Sequence, residues 1–147
     1  MLEAAGDSVL AVMRAGLDGA RAAVAGIAPV RVLYLIGTEP PMVAGPGTFV
    51  DDLIAIAGGR NAFGDLQQLW PQVSLEEIVR RQPDVIIRPG SRQEELASLR
   101  ERTGWRELRA VREGRVHLVD ADLYNRPGAT VGRAARGLAE RIHAPPQ

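Results

Sequence analysis

The residues able to do chemistry in this chain are few, and most are of kinds that bind rather than react. The two histidines, His117 and His143, stand outside any HxxxH or HxxE metal spacing. All 18 basic residues are arginine, so there is no lysine for a Schiff base or a phosphate loop. Cysteine is absent, which excludes a thiolate nucleophile, a disulfide and a Cys-based zinc site. No GxSxG elbow presents a serine. Two acidic pairs, Asp51–Asp52 and Glu76–Glu77, follow Thr48 and Ser74 at the spacing of a helix N-terminus. The helix macrodipole favours acids there without any catalytic need. Gly45-Pro46-Gly47-Thr48 leads into the first of these helices and would suit an anion, but a turn and a cap explain it equally well.

What remains is a set of loop residues suited to recognition. Met42 and Trp70 stand beside prolines in stretches without helical periodicity, and Tyr124-Asn125-Arg126 follows a strand through a short connection. In an open α/β sheet, ligands bind outside the carboxyl ends of the strands. A thioether, an aromatic ring and an arginine converging there suit a large, flat, partly anionic ligand.

The elements that must position these residues alternate. Leu10, Met13, Leu17, Ala20, Val24 and Ile27 recur at spacings of three and four, predicting one long helix over residues 1–28 that Pro29 stops. Arg31–Ile36 reads as a strand whose continuous apolar run suits a sheet covered on both faces. Residues 37–47 read as loop. A helix capped by Thr48 and Asp51 runs to Gly58-Gly59, residues 60–73 read as irregular, and a helix capped by Ser74 and Glu77 closes at Gln82. Asp84–Arg88 and Arg115–Val119 are further strands, with a helix from Ser91 to Gly104 and a short turn over Trp105–Val111 between them. A last helix covers residues 129–143. The pattern is α/β: parallel β-α-β units in one layered domain over residues 29–147, preceded by the long helix.

Composition agrees with this reading. The chain has 147 residues, enough for one domain with a substantial core, and its 46% hydrophobic and 24% charged content is ordinary for a globular protein. Basic and acidic residues balance at 18 each, without the surplus that a nucleic-acid partner calls for. No apolar run approaches the length of a membrane span. The first residues lack the basic and apolar regions of a secretory signal.

Four segments together resemble one family. They are Ala44-Gly45-Pro46-Gly47-Thr48-Phe49, Ala57-Gly58-Gly59-Arg60-Asn61-Ala62-Phe63, Trp70-Pro71-Gln72-Val73-Ser74-Leu75-Glu76-Glu77 and Pro83-Asp84-Val85-Ile86-Ile87. In this order they resemble the substrate-binding proteins of ABC importers for cobalamin, haem and iron-siderophores. Ala110–Val116 resembles that family's turn before its last strand. The resemblance implies a three-layer, Rossmann-like lobe with a mostly parallel sheet covered by helices. Residues 1–28 are similar to the interlobe helix and 29–147 to the C-terminal lobe, with nothing similar to the N-terminal lobe.

The resemblance also implies a function: non-enzymatic, cofactor-free, extracytoplasmic clamping of a metal chelate for delivery to a permease. Trp-Pro-Gln-Val-Ser is most similar to the cobalamin binders, which places Trp70 against a corrinoid. Met42 stands where those proteins carry an aromatic, and Tyr124-Asn125-Arg126 matches their Phe-Glu-Arg loop with an amide in place of the carboxylate. Glu76 falls where the family docks a glutamate onto the permease; rim charges of this kind steer association and fix register. Haem or an iron-siderophore is the alternative cargo, and Arg88, Arg92 and Arg126 would favour an anionic siderophore. The apolar stripe from Leu10 to Ile27 would invite a second copy or a separately encoded N-terminal lobe.

Overall fold

The structure, a computed structural model, describes residues 29–38, 40–90, 99–120 and 131–143, together with 15, 18, 19, 22, 26 and 97. The first strand, β1 (Val30–Thr38), is the longest and sits inside a five-stranded sheet. It runs antiparallel to β2 (Pro41–Val43) and parallel to β3 (Gly59–Asn61) and β4 (Val85–Pro89). Val32 faces Asn61 on one side and Val85 on the other, so β2 and β3 share one edge of β1 while β4 takes the opposite edge. A fifth strand, β5 (Val116–Val119), pairs parallel to β4.

Helices cover both faces. In β1, Val32 and Tyr34 point into one core cluster and Leu33 and Leu35 into another; Val85 and Ile87 of β4 join the first and Ile86 the second. This period of two is why a nearly unbroken apolar run suits a strand buried on both sides. The first cluster packs under helices α1 (Phe49–Ile56) and α4 (Val131–Ile142), through Leu53, Ile54, Ala135 and Leu138. The second packs under α2 (Leu75–Arg81), a 3-10 turn at Trp105–Glu107 and α3 (Arg109–Arg112), through Ile78, Trp105, Leu108 and Val111. The result is a three-layer α/β arrangement with a mostly parallel sheet. Among the described residues, no helix is long and apolar enough to cross a membrane.

Two stretches depart from the sequence reading. Residues 37–47, expected as loop, contain β2, and residues 60–73, expected as irregular, open with the end of β3. Each strand has three residues, too short to show periodicity, and glycine and proline flank them. Pro41 fits the first position of a strand, where its missing N–H costs nothing. Of the long helix expected over residues 1–28, positions 15, 18, 19 and 22 are described and are helical, and Gly26 is a turn residue with a φ of +82°; the rest lies outside the described residues. Gly19 lies against α4, where a side chain would meet the Arg136 guanidinium.

Candidate functional site

The segment carrying Trp70 is strapped to the outer edge of β2. Val73 N–H donates to the Pro41 carbonyl (3.0 Å), Val43 N–H to Pro71 (3.1 Å) and Gly45 N–H to Leu69 (2.7 Å). Met42 and Gln72 bridge in antiparallel fashion between them. Met42 and Trp70 therefore belong to adjoining extended segments beyond β1. Met42 is half-buried. Leu69 and Trp70 are the exposed large hydrophobics among the described residues, at 56% and 38%. Sequence reasoning missed Leu69; its signal was an apolar residue in a stretch with no helical or strand period.

Trp70 is braced from below. Its ring lies 6.5 Å from that of Tyr34, tilted by 56°. Tyr34 is fully buried in β1, so the inner side of the indole rests on a fixed wall while the outer side faces solvent.

The 44–48 loop supports this pair. Thr48 caps α1 by accepting from Asp51 N–H (3.0 Å) and donates its own hydroxyl to the Gly45 carbonyl (3.1 Å). Asp51 accepts from Gly47 N–H (3.3 Å) through Oδ2 and from the Asn61 amide (3.1 Å) through Oδ1. The same Asn61 amide donates to the Ala44 carbonyl (2.9 Å), and its oxygen accepts from Phe63 N–H (3.0 Å). Gly45 is required by contact: a β-carbon there would stand 2.1 Å from the Gln68 carbonyl oxygen. Gly47 holds a φ of +83°, which glycine adopts without strain.

Downstream, Ser74 caps α2 by accepting from Glu77 N–H (3.0 Å). The Glu77 carboxylate does not complete a capping box; it turns to Arg80 (2.6 Å) and Arg81 (2.8 Å). Arg81 also pairs with Asp65 (2.5 Å), donates to the Ala62 carbonyl (2.8 Å) and lies over the Phe63 ring at 4.5 Å. The hydrogen bond and charge of Arg81 hold both the Asp65 and the Glu77 carboxyls below the usual carboxylate range, and those acids raise the guanidinium in turn. Glu76, beside this network in the first turn of α2, is exposed.

A depression of about 600 Å³ is lined by Phe63, Asp65, Gln68, Pro71, Glu77 and Arg81 among others, with neither Met42 nor Trp70 in its wall. Its one guanidinium is already engaged by two carboxylates, a carbonyl and a ring. The arrangement is a clasp between α2 and the 62–65 loop rather than a recognition site.

His117 lies in β5 opposite Ile87. Burial pushes its pKa down, and nearby Arg141 and Arg115 add to that shift. His143 contacts the Ala57 carbonyl at 3.0 Å, tying the end of α4 to α1. Among the described residues, no three His, Asp or Glu side chains gather as a metal site. Tyr124, Asn125 and Arg126 lie outside the described residues, as does Arg92.

Comparison with known proteins agrees with this architecture. The family model for "Periplasmic binding protein" matches residues 1–123. The vitamin B12-binding protein of Pectobacterium carotovorum is 33% identical over 117 residues, covering 80% of this chain and 40% of that protein. An uncharacterised ABC transporter substrate-binding lipoprotein of Bacillus subtilis, YvrC, is 33% identical over 113 residues, covering 76% and 35%. The solved structure of the haem-binding protein RhuT from Roseiflexus superposes with a TM-score of 0.80 at 30% identity, covering 90% of this chain and 53% of RhuT. The chain thus spans about 40% of the first of these relatives and about half of the solved structure. By family match, relatives and fold together, the chain belongs to the periplasmic binding protein family of substrate-binding proteins.

Proposed function

We propose that this chain serves an ABC importer outside the cytoplasm, holding a corrinoid against Trp70 and Met42 and presenting Glu76 to the permease. One observation carries the ligand assignment: a half-exposed indole braced on a buried tyrosine, at the sheet edge beside β2. A rigid aromatic face suits a macrocycle, since little side-chain entropy is lost on contact. The vitamin B12-binding relative supports the corrinoid, and the YvrC relative supports the importer. Tyr124, Asn125 and Arg126 complete the proposed contacts.

The test is a titration of the purified chain with cyanocobalamin, followed by tryptophan fluorescence and corrected for ligand absorbance. Saturable quenching that disappears in Trp70→Ala is the expected result. In the proposed role this chain supplies one wall of the binding cleft, so the expected Kd is weaker than micromolar. No saturable quenching at any concentration would overturn the corrinoid reading. Haem would be the next probe, on the strength of the haem-binding relative. Glu76→Ala is expected to leave cyanocobalamin binding unchanged and to weaken transport through the cognate permease.

A further inference from the structure

Asn61 is half-buried and stands apart from the proposed ligand contacts, yet its amide makes three hydrogen bonds. Its nitrogen donates to the Ala44 carbonyl and to Asp51, and its oxygen accepts from Phe63 N–H. Through Asp51 it reaches Gly47 N–H, and Asp51 N–H in turn engages the Thr48 hydroxyl that closes on the Gly45 carbonyl. Three backbone groups of the 44–48 loop, the Ala44 and Gly45 carbonyls and the Gly47 N–H, are thereby held. That loop is the seat of the Trp70 segment. Gly45 N–H grips the Leu69 carbonyl at 2.7 Å, the Gln68 carbonyl packs onto the Gly45 α-carbon, and the Leu69 side chain closes over Gly47.

We propose that Asn61 is the positioning residue for Trp70: it acts through Ala44, Asp51 and the 44–48 loop to fix the indole against Tyr34 before any ligand arrives. The contribution is preorganisation, since a ring already held in its bound orientation loses less freedom on binding. A side chain with two donors and one acceptor in a fixed plane is needed. Aspartate at this position would offer only acceptors and would face the Asp51 carboxylate. The purpose assigned to this positioning rests on the reading of Trp70 as a ligand contact, while the positioning itself does not.

The test is carried out without ligand. The chain is labelled with 5-fluorotryptophan, which gives one fluorine resonance for Trp70 and one for buried Trp105; a Trp70→Phe sample assigns them. In Asn61→Asp the Trp70 line is expected to shift and broaden while the Trp105 line stays in place. In Asn61→Asp/Asp51→Asn, which restores a donor–acceptor pair between the two positions, the Trp70 line is expected to move back toward its parent position. Should Asn61→Asp fail to fold, Asp51→Asn alone keeps the acceptor toward Asn61 and opposes a donor to Gly47 N–H, and a smaller shift of the same line is expected. An unmoved Trp70 line overturns the proposal, and so does an equal displacement of both lines, which is the mark of general destabilisation. Cyanocobalamin affinity is expected to fall about three- to tenfold in Asn61→Asp. A fluorine response in the variants with no cyanocobalamin binding by the parent chain would count against the corrinoid reading and leave the positioning role standing.

Discussion

The N-termini of α1 and α2 begin from the same local signature and use it differently. In each, a hydroxyl residue accepts from the N–H three positions on, where the acid stands: Thr48 from Asp51 and Ser74 from Glu77. Both acids then serve the stretch Asn61–Asp65. Asp51 reaches it directly through the Asn61 amide, next to a Thr48 that is 5% exposed. Glu77 reaches it through Arg81, whose long side chain bridges to Asp65 and Ala62, beside an exposed Ser74. The first arrangement is a direct amide–carboxylate contact beside a buried hydroxyl; the second is an ion-pair relay that runs out to exposed Asp65. Desolvated hydrogen bonds resist loss more than exposed ion pairs, so equal motifs here carry unequal weight.

The contrast can be broken most severely at Gly45. Gly45→Ala drives a methyl group into the Gln68 carbonyl, and urea unfolding is expected to show a loss of about 2–3 kcal/mol, as for an overpacked core. A neutral result would mean that the Trp70 segment is not pressed onto the 44–48 loop. Next in size is the pair of cap substitutions. Thr48→Ala is expected to cost about 2 kcal/mol and Ser74→Ala about 0.5–1 kcal/mol, the two ends of the range for caps. Equal losses would erase the distinction between the two helix starts.

The ion-pair relay is sharpened by acid. Asp65 and Glu77 have folded pKa values held below their ordinary ones by Arg81. Their contribution is therefore fully present above the unfolded value, about 4 for such carboxyls, and is lost as the pH falls through the folded value. Arg81→Met is expected to lower Tm by roughly 2–4 °C at neutral pH and to flatten the decline of Tm between about pH 4.5 and 3. An unchanged acid slope would remove Arg81 as its cause.

The smallest effect is expected at His117, in β5 opposite Ile87. Its folded pKa lies below the ordinary histidine value of about 6.5, so the unfolded chain binds a proton that the folded one refuses. Stability accordingly falls as the pH drops below about 6.5 and levels off below the folded value. Thermal melts of His117→Gln from pH 7.5 to 5 should show a shallower slope than the parent.

Much of the fold was legible in the residues. The unbroken apolar runs of β1 and β4 announced strands covered on both faces, and Thr48 and Ser74 marked both helix starts. Strands β2 and β3 were not legible, because three residues give no period and their pairing depends on β1. The site divides in the same way. An indole beside a proline in an aperiodic stretch singled out Trp70, and the same reasoning passed over Leu69 and Asn61. Asparagine in a strand-and-loop segment looks like an ordinary turn residue until its partners are known.

The sequence by itself determined the alternation of helices and strands, the two capped helix starts and the absence of thiolate and lysine chemistry, because periodicity, capping and residue type are local properties. Only the tertiary structure decided where the acids of those caps point, which loop seats Trp70 and why position 45 admits no side chain. Each of those depends on contacts between segments far apart in the chain, such as Asn61 with Ala44 and Gly45 with Gln68. No local pattern encodes a contact of that kind; packing the sheet brings the partners together, and their chemistry is fixed only once water has been excluded between them.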